Sequence, residues 1–131
     1  HTELGYNYRL PNLNAALACA QLECLENFIL NKRQLTDKYR DFFGNRNADL
    51  VEERSGSSSN YWLNAIILPS EKERDHFLET TNAAGVMTRP VWELMSQLPM
   101  YQNVQCHGLE TSEWIQKRLV NIPSSVRSKD L

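Results

Sequence analysis

Apolar residues recur at three- and four-residue intervals near the start of the chain: Leu13, Ala16, Leu17, Ala20, Cys24 and Phe28. That period predicts a helix opening at Pro11-Asn12, with Asn12 or Asn14 as its cap. The run Ala15-Ala16-Leu17-Ala18-Cys19-Ala20 is small-chained, so other backbone can approach it from several sides. The helix is therefore expected to be buried on more than one face. A second helical pattern continues through Leu30, Leu35, Tyr39 and Phe42-Phe43, with Gly44 as its stop. Its other face carries Asn31, Lys32, Asp37, Lys38 and Asp41.

After Val51 the pattern breaks. Residues 52–59 are Glu-Glu-Arg-Ser-Gly-Ser-Ser-Ser, which predicts a flexible surface loop unable to pack. Tyr61 to Leu68 then runs nearly unbroken in apolar and β-favouring residues up to Pro69, the signature of a strand covered on both faces. Ser70 with Glu73 reads as a capping box. The hydroxyl would accept from the Glu73 amide while the carboxylate reaches back to the Ser70 amide. The helix so opened carries Phe77, Leu78 and Ala84 and stops at Gly85, which takes positive φ without penalty. Val86-Met87-Thr88 reads as a short strand ahead of Pro90, and 91–108 as a long irregular stretch. Thr111 opens a last helix through Trp114, Ile115, Arg118 and Leu119, and Val120-Asn121-Ile122 forms a final edge strand. The chain is expected to begin another helix before Leu131.

Three strands interleaved with helices make a mixed α/β layer: a short three-stranded sheet covered by helices. The long N-terminal helices exceed what so small a sheet needs, so they are expected to pack on something outside the chain. At 131 residues the chain suits a single domain, with 1–44 as a helical lead-in and 45–131 as the α/β layer. Lys and Arg number 14 against 16 Asp and Glu, a net charge of -2. That balance excludes nucleic-acid or membrane attachment driven by bulk charge. No apolar run reaches the roughly 20 residues that span a bilayer. The start, His1-Thr2-Glu3-Leu4-Gly5, has no initiator Met and no signal- or transit-peptide pattern, so the chain is expected to be a piece of a longer protein.

Candidate chemistry is sparse. There is no Gly-rich phosphate loop, Gly-x-Ser-x-Gly elbow or HExxH motif. His1, His76 and His107 are scattered. On a helix Cys19 and Cys24 lie about 140° apart, so they do not pair as metal ligands. With Cys106 they read as reduced thiols of a cytoplasmic protein. The exception is Gly5-Tyr6-Asn7-Tyr8-Arg9-Leu10-Pro11, just ahead of the first helix. In an extended segment Asn7 and Arg9 point one way and Tyr6 and Tyr8 the other. An amide and a guanidinium together suit a phosphate, since both direct N–H groups at an anion. The alternative is a strand lead-in in which Arg9 pairs with a surface carboxylate.

The block Leu4-Gly5-Tyr6-Asn7-Tyr8-Arg9-Leu10-Pro11-Asn12-Leu13-Asn14-Ala15-Ala16-Leu17, followed by Gln21-Leu22-Glu23, resembles a signature of the sugar-nucleotide aminotransferases of the DegT/DnrJ/EryC1/StrS family. The resemblance continues in Tyr61-Trp62, in Gly85-Val86-Met87-Thr88-Arg89-Pro90-Val91-Trp92, in Leu98-Pro99-Met100-Tyr101 and in Arg118-Leu119-Val120-Asn121-Ile122-Pro123. It covers nearly the whole chain in order, and its flavour is similar to perosamine-synthetase-like members.

The resemblance implies the small C-terminal domain of a fold type I aminotransferase that uses pyridoxal 5'-phosphate (PLP). The large domain with the cofactor lysine would lie upstream. Lys32, Lys38, Lys72, Lys117 and Lys129 sit in helical or tail contexts and none replaces that lysine, so no catalytic residue is expected here and the chain alone is expected to be inactive. In a homodimer, Asn7 matches the asparagine that reaches the neighbour's cofactor phosphate. Tyr8 and Arg9 would line the same shared site, and Arg89 and Trp92 would face the nucleotide sugar. The implied reaction moves an amino group from glutamate to a keto nucleotide sugar for surface-glycan synthesis. One departure touches substrate identity: many relatives carry a histidine after the Trp92 segment, where this chain has Ser96. Two rival readings stand beside it, a PLP-dependent sugar dehydratase of the same family and a stand-alone non-catalytic α/β binding module.

Overall fold

The computed structural model describes residue 3 and residues 5–127. An extended lead-in runs to Pro11. Helices α1 (Asn12–Glu23) and α2 (Leu25–Phe43) follow, divided at Cys24, whose φ of -102° and ψ of 1° interrupt the helix. Phe28 therefore belongs to α2. Neither Asn12 nor Asn14 caps α1: Pro11 stands at its N-cap and no side chain bonds its first turn.

Strands β1 (Asp49–Leu50), β2 (Asn64–Ile67), β3 (Arg89–Pro90) and β4 (Leu119–Ile122) form one antiparallel sheet in the order β1-β2-β4-β3. Helices α3 (Glu71–Ala83) and α4 (Glu110–Gln116) connect them. Two short 3-10 turns, Met95–Gln97 and Pro99–Tyr101, order part of the irregular stretch. The mixed α/β class holds, but the sheet has four strands rather than three. Two residues of β1 are too few to show a period in sequence.

Cross-strand partners share a sheet face. Leu50, Ile66 and Val120 thus stand together, with Asn64 and Ile122 beside them. This face is the core. Ile66, Leu68, Val120 and Ile122 are buried, and Tyr39 and Phe43 of α2 pack on them together with Phe77 and Leu78 of α3. The (i, i+4) spacing of Tyr39 and Phe43 puts both rings on one stripe of α2. So α2 is part of the layer, not surplus to it. The opposite face carries Asp49, Ala65, Ile67, Leu119, Asn121 and Arg89.

β4 is interior, not an edge: it pairs with β2 on one side and β3 on the other. The long apolar run shortens to Asn64–Ile67 because Tyr61 adopts φ 44° and the Trp62 N–H donates to Asn60 Oδ1 at 3.0 Å, turning the chain. The strand expected at 86–88 begins instead at Arg89. Thr88 is buried and its backbone is already spent on α3: its N–H donates to Asn82 Oδ1, its carbonyl accepts from Asn82 Nδ2 at 3.1 Å, and its hydroxyl lies 2.6 Å from that of Thr81.

Half of the capping box forms as drawn. Ser70 Oγ accepts the Glu73 N–H at 3.2 Å, but it is the Ser70 hydroxyl, not its amide, that donates to Glu73 Oε2 at 2.9 Å. Gly85 follows α3 at φ 77°, as its position demands. Residues 123–127 carry no helix, and 128–131, like His1, Thr2 and Leu4, lie outside the described residues.

α1 stands apart from the layer. It buries no residue within this chain, and Leu13, Leu17 and Leu22 stay mostly exposed. Its apolar side chains are spread around the axis, so no single face is sticky enough to fold back on the layer.

Candidate functional site

In the lead-in Tyr6 and Tyr8 share one side, as the alternation predicts for them. Tyr6 and Tyr8 stack with ring centroids 5.9 Å apart and planes 22° from parallel. Asn7 and Arg9 between and after them are exposed. Among the described residues neither makes a side-chain hydrogen bond or ion pair within the chain. Arg9 thus does not take up the surface carboxylate that the alternative reading offered it. An amide and a guanidinium presented to solvent with no partner are what an external anion would meet.

The second group lies at the β3 edge. Arg89 stands opposite Asn121 of β4, on the sheet face away from α2 and α3. Its Nη2 lies 3.2 Å from Met87 Sδ, a neutral contact, and no ion pair to it is present among the described residues. The strand is held there by Asn121 Nδ2, which donates to Pro90 O at 3.4 Å. Two residues beyond, Trp92 stacks on Trp62 with centroids 6.3 Å apart and planes at 28°. No hydrogen bond, ion pair or ring contact joins Asn7, Tyr8 or Arg9 to Arg89 or Trp92 among the described residues. The chain brings Arg89 and Trp92 to one strand exit and presents the Asn7–Arg9 segment separately.

Trp62 is the residue that sequence reasoning missed. The Tyr61-Trp62 pair reads as the start of a strand, and the positive φ that throws Trp62 out of it is not written in residue type. Its backbone is fixed on both sides. The N–H is held by Asn60 Oδ1, and the carbonyl accepts from Lys32 Nζ at 3.4 Å. Lys32 also donates to Ser124 O at 2.5 Å, and partial burial lowers its pKa. Below Trp62, Tyr61 is buried with the Arg33 guanidinium over its ring at 5.5 Å.

Two of the open grooves are lined mostly by apolar residues. One of about 350 Å³ is lined chiefly by Leu94, Met95, Tyr101, Val104 and Leu109, with Ser96 on its wall. It carries no charged group, so it does not suit a phosphate. Another of about 200 Å³ runs along α2 between Phe28, Ile29, Lys32 and Trp62. Cys19, Cys24 and Cys106 are free and exposed, and among the described residues no His/Cys/Asp/Glu group could hold a metal ion. Among those residues no helix is long and apolar enough to cross a membrane.

Comparison with known proteins gives one consistent answer. The model of the DegT/DnrJ/EryC1/StrS aminotransferase family matches residues 1–130. The GDP-perosamine synthase of Vibrio cholerae is 32% identical over 127 residues, which are 95% of this chain and 35% of that protein. Among solved structures, Helicobacter pylori PseC, an aminotransferase involved in the biosynthesis of pseudoaminic acid, superposes with a TM-score of 0.81. It shares 17% identity, and the match covers 98% of this chain and 36% of that one. The Escherichia coli GDP-4-keto-6-deoxy-D-mannose-3-dehydratase superposes with a TM-score of 0.72 at 20% identity, covering 94% of this chain and 33% of that one. The chain thus spans about a third of the length of the relatives it matches.

Proposed function

Since this chain belongs to the DegT/DnrJ/EryC1/StrS aminotransferase family, we propose that it is the C-terminal small domain, with its helical lead-in, of a PLP-dependent sugar aminotransferase. The whole enzyme moves an amino group from glutamate to a keto nucleotide sugar, in the cytoplasm, for surface-glycan synthesis. The observation that carries this reading is the family match over residues 1–130. The name borne by the Vibrio cholerae relative favours a GDP-linked ketosugar of the perosamine type.

Bound PLP supplies the electron sink through which an amino group leaves an amino acid and enters a keto carbon. This chain's own residues do the holding. Asn7, exposed and without a partner among the described residues, would donate its amide N–H to the cofactor phosphate of the other subunit of a homodimer. Its fit rests on that free donor and on its place in an extended arm ahead of an exposed helix. Tyr8 and Arg9 line the same shared site, and Arg89 and Trp92 face the nucleotide sugar. The cofactor lysine lies in the remaining two thirds of the protein. Lys32 is held by two carbonyls, Lys38 and Lys72 stand on the exposed sides of α2 and α3, and Lys117 follows α4.

The dehydratase superposes on the same fold, so the fold of this third does not separate amino transfer from dehydration. The test is a reaction of the complete polypeptide with glutamate and a 4-keto nucleotide sugar. The expected products are 2-oxoglutarate and an aminosugar in equal amounts. A deoxygenated sugar that keeps no nitrogen would overturn amino transfer in favour of dehydration, and no turnover of either kind would favour a binding module.

A further inference from the structure

We propose that Trp62 is a positioning residue of the nucleotide-sugar site: it holds Trp92 by ring stacking, so that the open face of Trp92 receives the nucleobase while Arg89 meets the diphosphate. This rests on the reading of Arg89 and Trp92 given above and adds Trp62 to it.

Three observations converge on the pair. Trp62 and Trp92 come from positions 30 apart, stack at 6.3 Å, and yet stay 65% and 69% exposed. Two indoles that pack on each other but not on the core leave a wide π-face toward solvent, and such a face takes the flat ring of a base. Second, the chain spends conformational energy to put Trp62 there. Tyr61 sits at φ 44°, which is costly for a bulky residue, and the Asn60 and Lys32 side chains pin the Trp62 peptide on either side. A tryptophan that merely covered the strand would need none of this. Third, Arg89 stands three residues before Trp92, charged and met by a thioether rather than a carboxylate. An aromatic plane three residues along the chain from a guanidinium with no carboxylate partner among the described residues is complementary to a nucleoside diphosphate, a base at one end and two phosphates at the other.

The experiment uses the complete polypeptide loaded with its cofactor and titrates GDP, UDP and dTDP alone by calorimetry. Trp62→Ala should weaken the best-bound diphosphate about tenfold, and Trp62→Phe should recover most of that loss. Because Trp62 acts through Trp92, the double variant Trp62→Ala/Trp92→Ala should lose less than the product of the two single losses. In steady state Trp62→Ala should raise KM for the nucleotide sugar and spare kcat. Trp114→Phe, whose native ring lies under Arg118 on α4, is the control and should leave diphosphate affinity unchanged. Should Trp62→Ala not fold, Trp62→Leu against Trp62→Phe carries the same contrast between apolar bulk and an aromatic plane. Unchanged affinity in Trp62→Ala overturns the proposal, as does a loss that phenylalanine does not recover or two losses that multiply independently. Loss of nucleotide-sugar binding with diphosphate binding intact also overturns it, since the face would then hold the sugar. A wild-type enzyme that binds a diphosphate through Trp62 but never converts glutamate supports this proposal while breaking the aminotransferase reading.

Discussion

Helix α1 and the sheet layer meet water in opposite ways. Ile66 and Val120, directly paired across β2 and β4, are both 0% exposed, whereas Leu13 and Leu17 of α1 are 80% and 62% exposed. Both regions are rich in apolar residues, so composition does not separate them. Placement does. On β2 and β4 Ile66, Val120 and Ile122 share one face, and α2 answers with Tyr39 and Phe43 one turn apart, so that face has a neighbour of the same chain. On α1 alanines and leucines spread around the axis, and no residue of the helix is buried. A set of exposed leucines on this scale belongs to an interface. The layer closes over its core within this chain, and we propose that α1 is covered by another part of a larger molecule.

The sharpest way to break that comparison is to remove bulk from each region in this 131-residue chain. Ile66→Ala should cost about 2–5 kcal/mol, read as a shift in the urea unfolding midpoint, because it empties the centre of the core. Leu17→Ala should stay within about 0.5 kcal/mol, since Leu17 is mostly exposed. Equal costs would mean that α1 is buried after all. In the complete enzyme the Leu17 cost should rise while the Ile66 cost stays put. The isolated chain should also self-associate through α1, and sedimentation velocity across a tenfold concentration range should show it. A monomer that stays monodisperse with α1 intact and solvated would refute the interface assignment.

Asn7 gives the next largest effect, and it sharpens the comparison by asking whether the exposed arm works on another subunit. Losing one hydrogen bond to a charged phosphate is worth about 1.5–3 kcal/mol. Asn7→Ala in the complete enzyme should therefore weaken PLP retention about tenfold to a hundredfold. If the arm crosses to the neighbour, Asn7→Ala subunits mixed with subunits lacking the cofactor lysine should regain one working site per dimer. Verified heterodimers with no recovered activity would place Asn7 within its own subunit or outside the site.

Much of this was legible in the sequence, and the misses have physical causes. The capped helix α3, the break at 52–59, the buried run at Ala65–Leu68 and the Tyr6/Tyr8 alternation all follow from local chemistry that residue type records. The interior position of β4 did not, because whether a strand is central depends on partners 30 and 55 residues away. Thr88 was read as a strand residue because β-branching favours strands, whereas its backbone is claimed by Asn82 across the end of α3. The small side chains of α1 predict burial on several faces, and the surplus length of the helices predicts a neighbour outside the chain; within this chain α1 buries no residue. At the candidate site, Arg89 and Trp92 were visible through family resemblance. Trp62 was hidden because a tryptophan ahead of a strand reads as strand, and only the φ of Tyr61 redirects it.

The smallest effect lies where the loop 52–59 meets the layer. Its composition predicts free movement, yet Glu53 ties it down. Glu53 Oε1 lies 2.6 Å from Arg33 Nη2, its Oε2 accepts the Ser59 N–H at 2.6 Å, and Arg33 also donates to Ser59 O at 2.7 Å. The hydrogen bond from Arg33, and then that from the Ser59 amide, hold the Glu53 carboxyl below the usual carboxylate range. In the unfolded chain the same group returns to about 4.3. The folded value is the lower one, so the contribution is fully present above about pH 4.3 and fades as pH falls through the folded value. Glu53→Gln should therefore be slightly less stable than wild type at pH 7, and the gap should narrow at pH 3. Salt should narrow it too, since the pair is partly solvated. Urea midpoints of both proteins at the two pH values, with hydrogen exchange at the Ser59 amide as a local readout, measure this. A gap of equal size at pH 3 would trace the loop's order to packing rather than to the ion pair, and the loop would then belong to the self-closing layer on the same terms as the core.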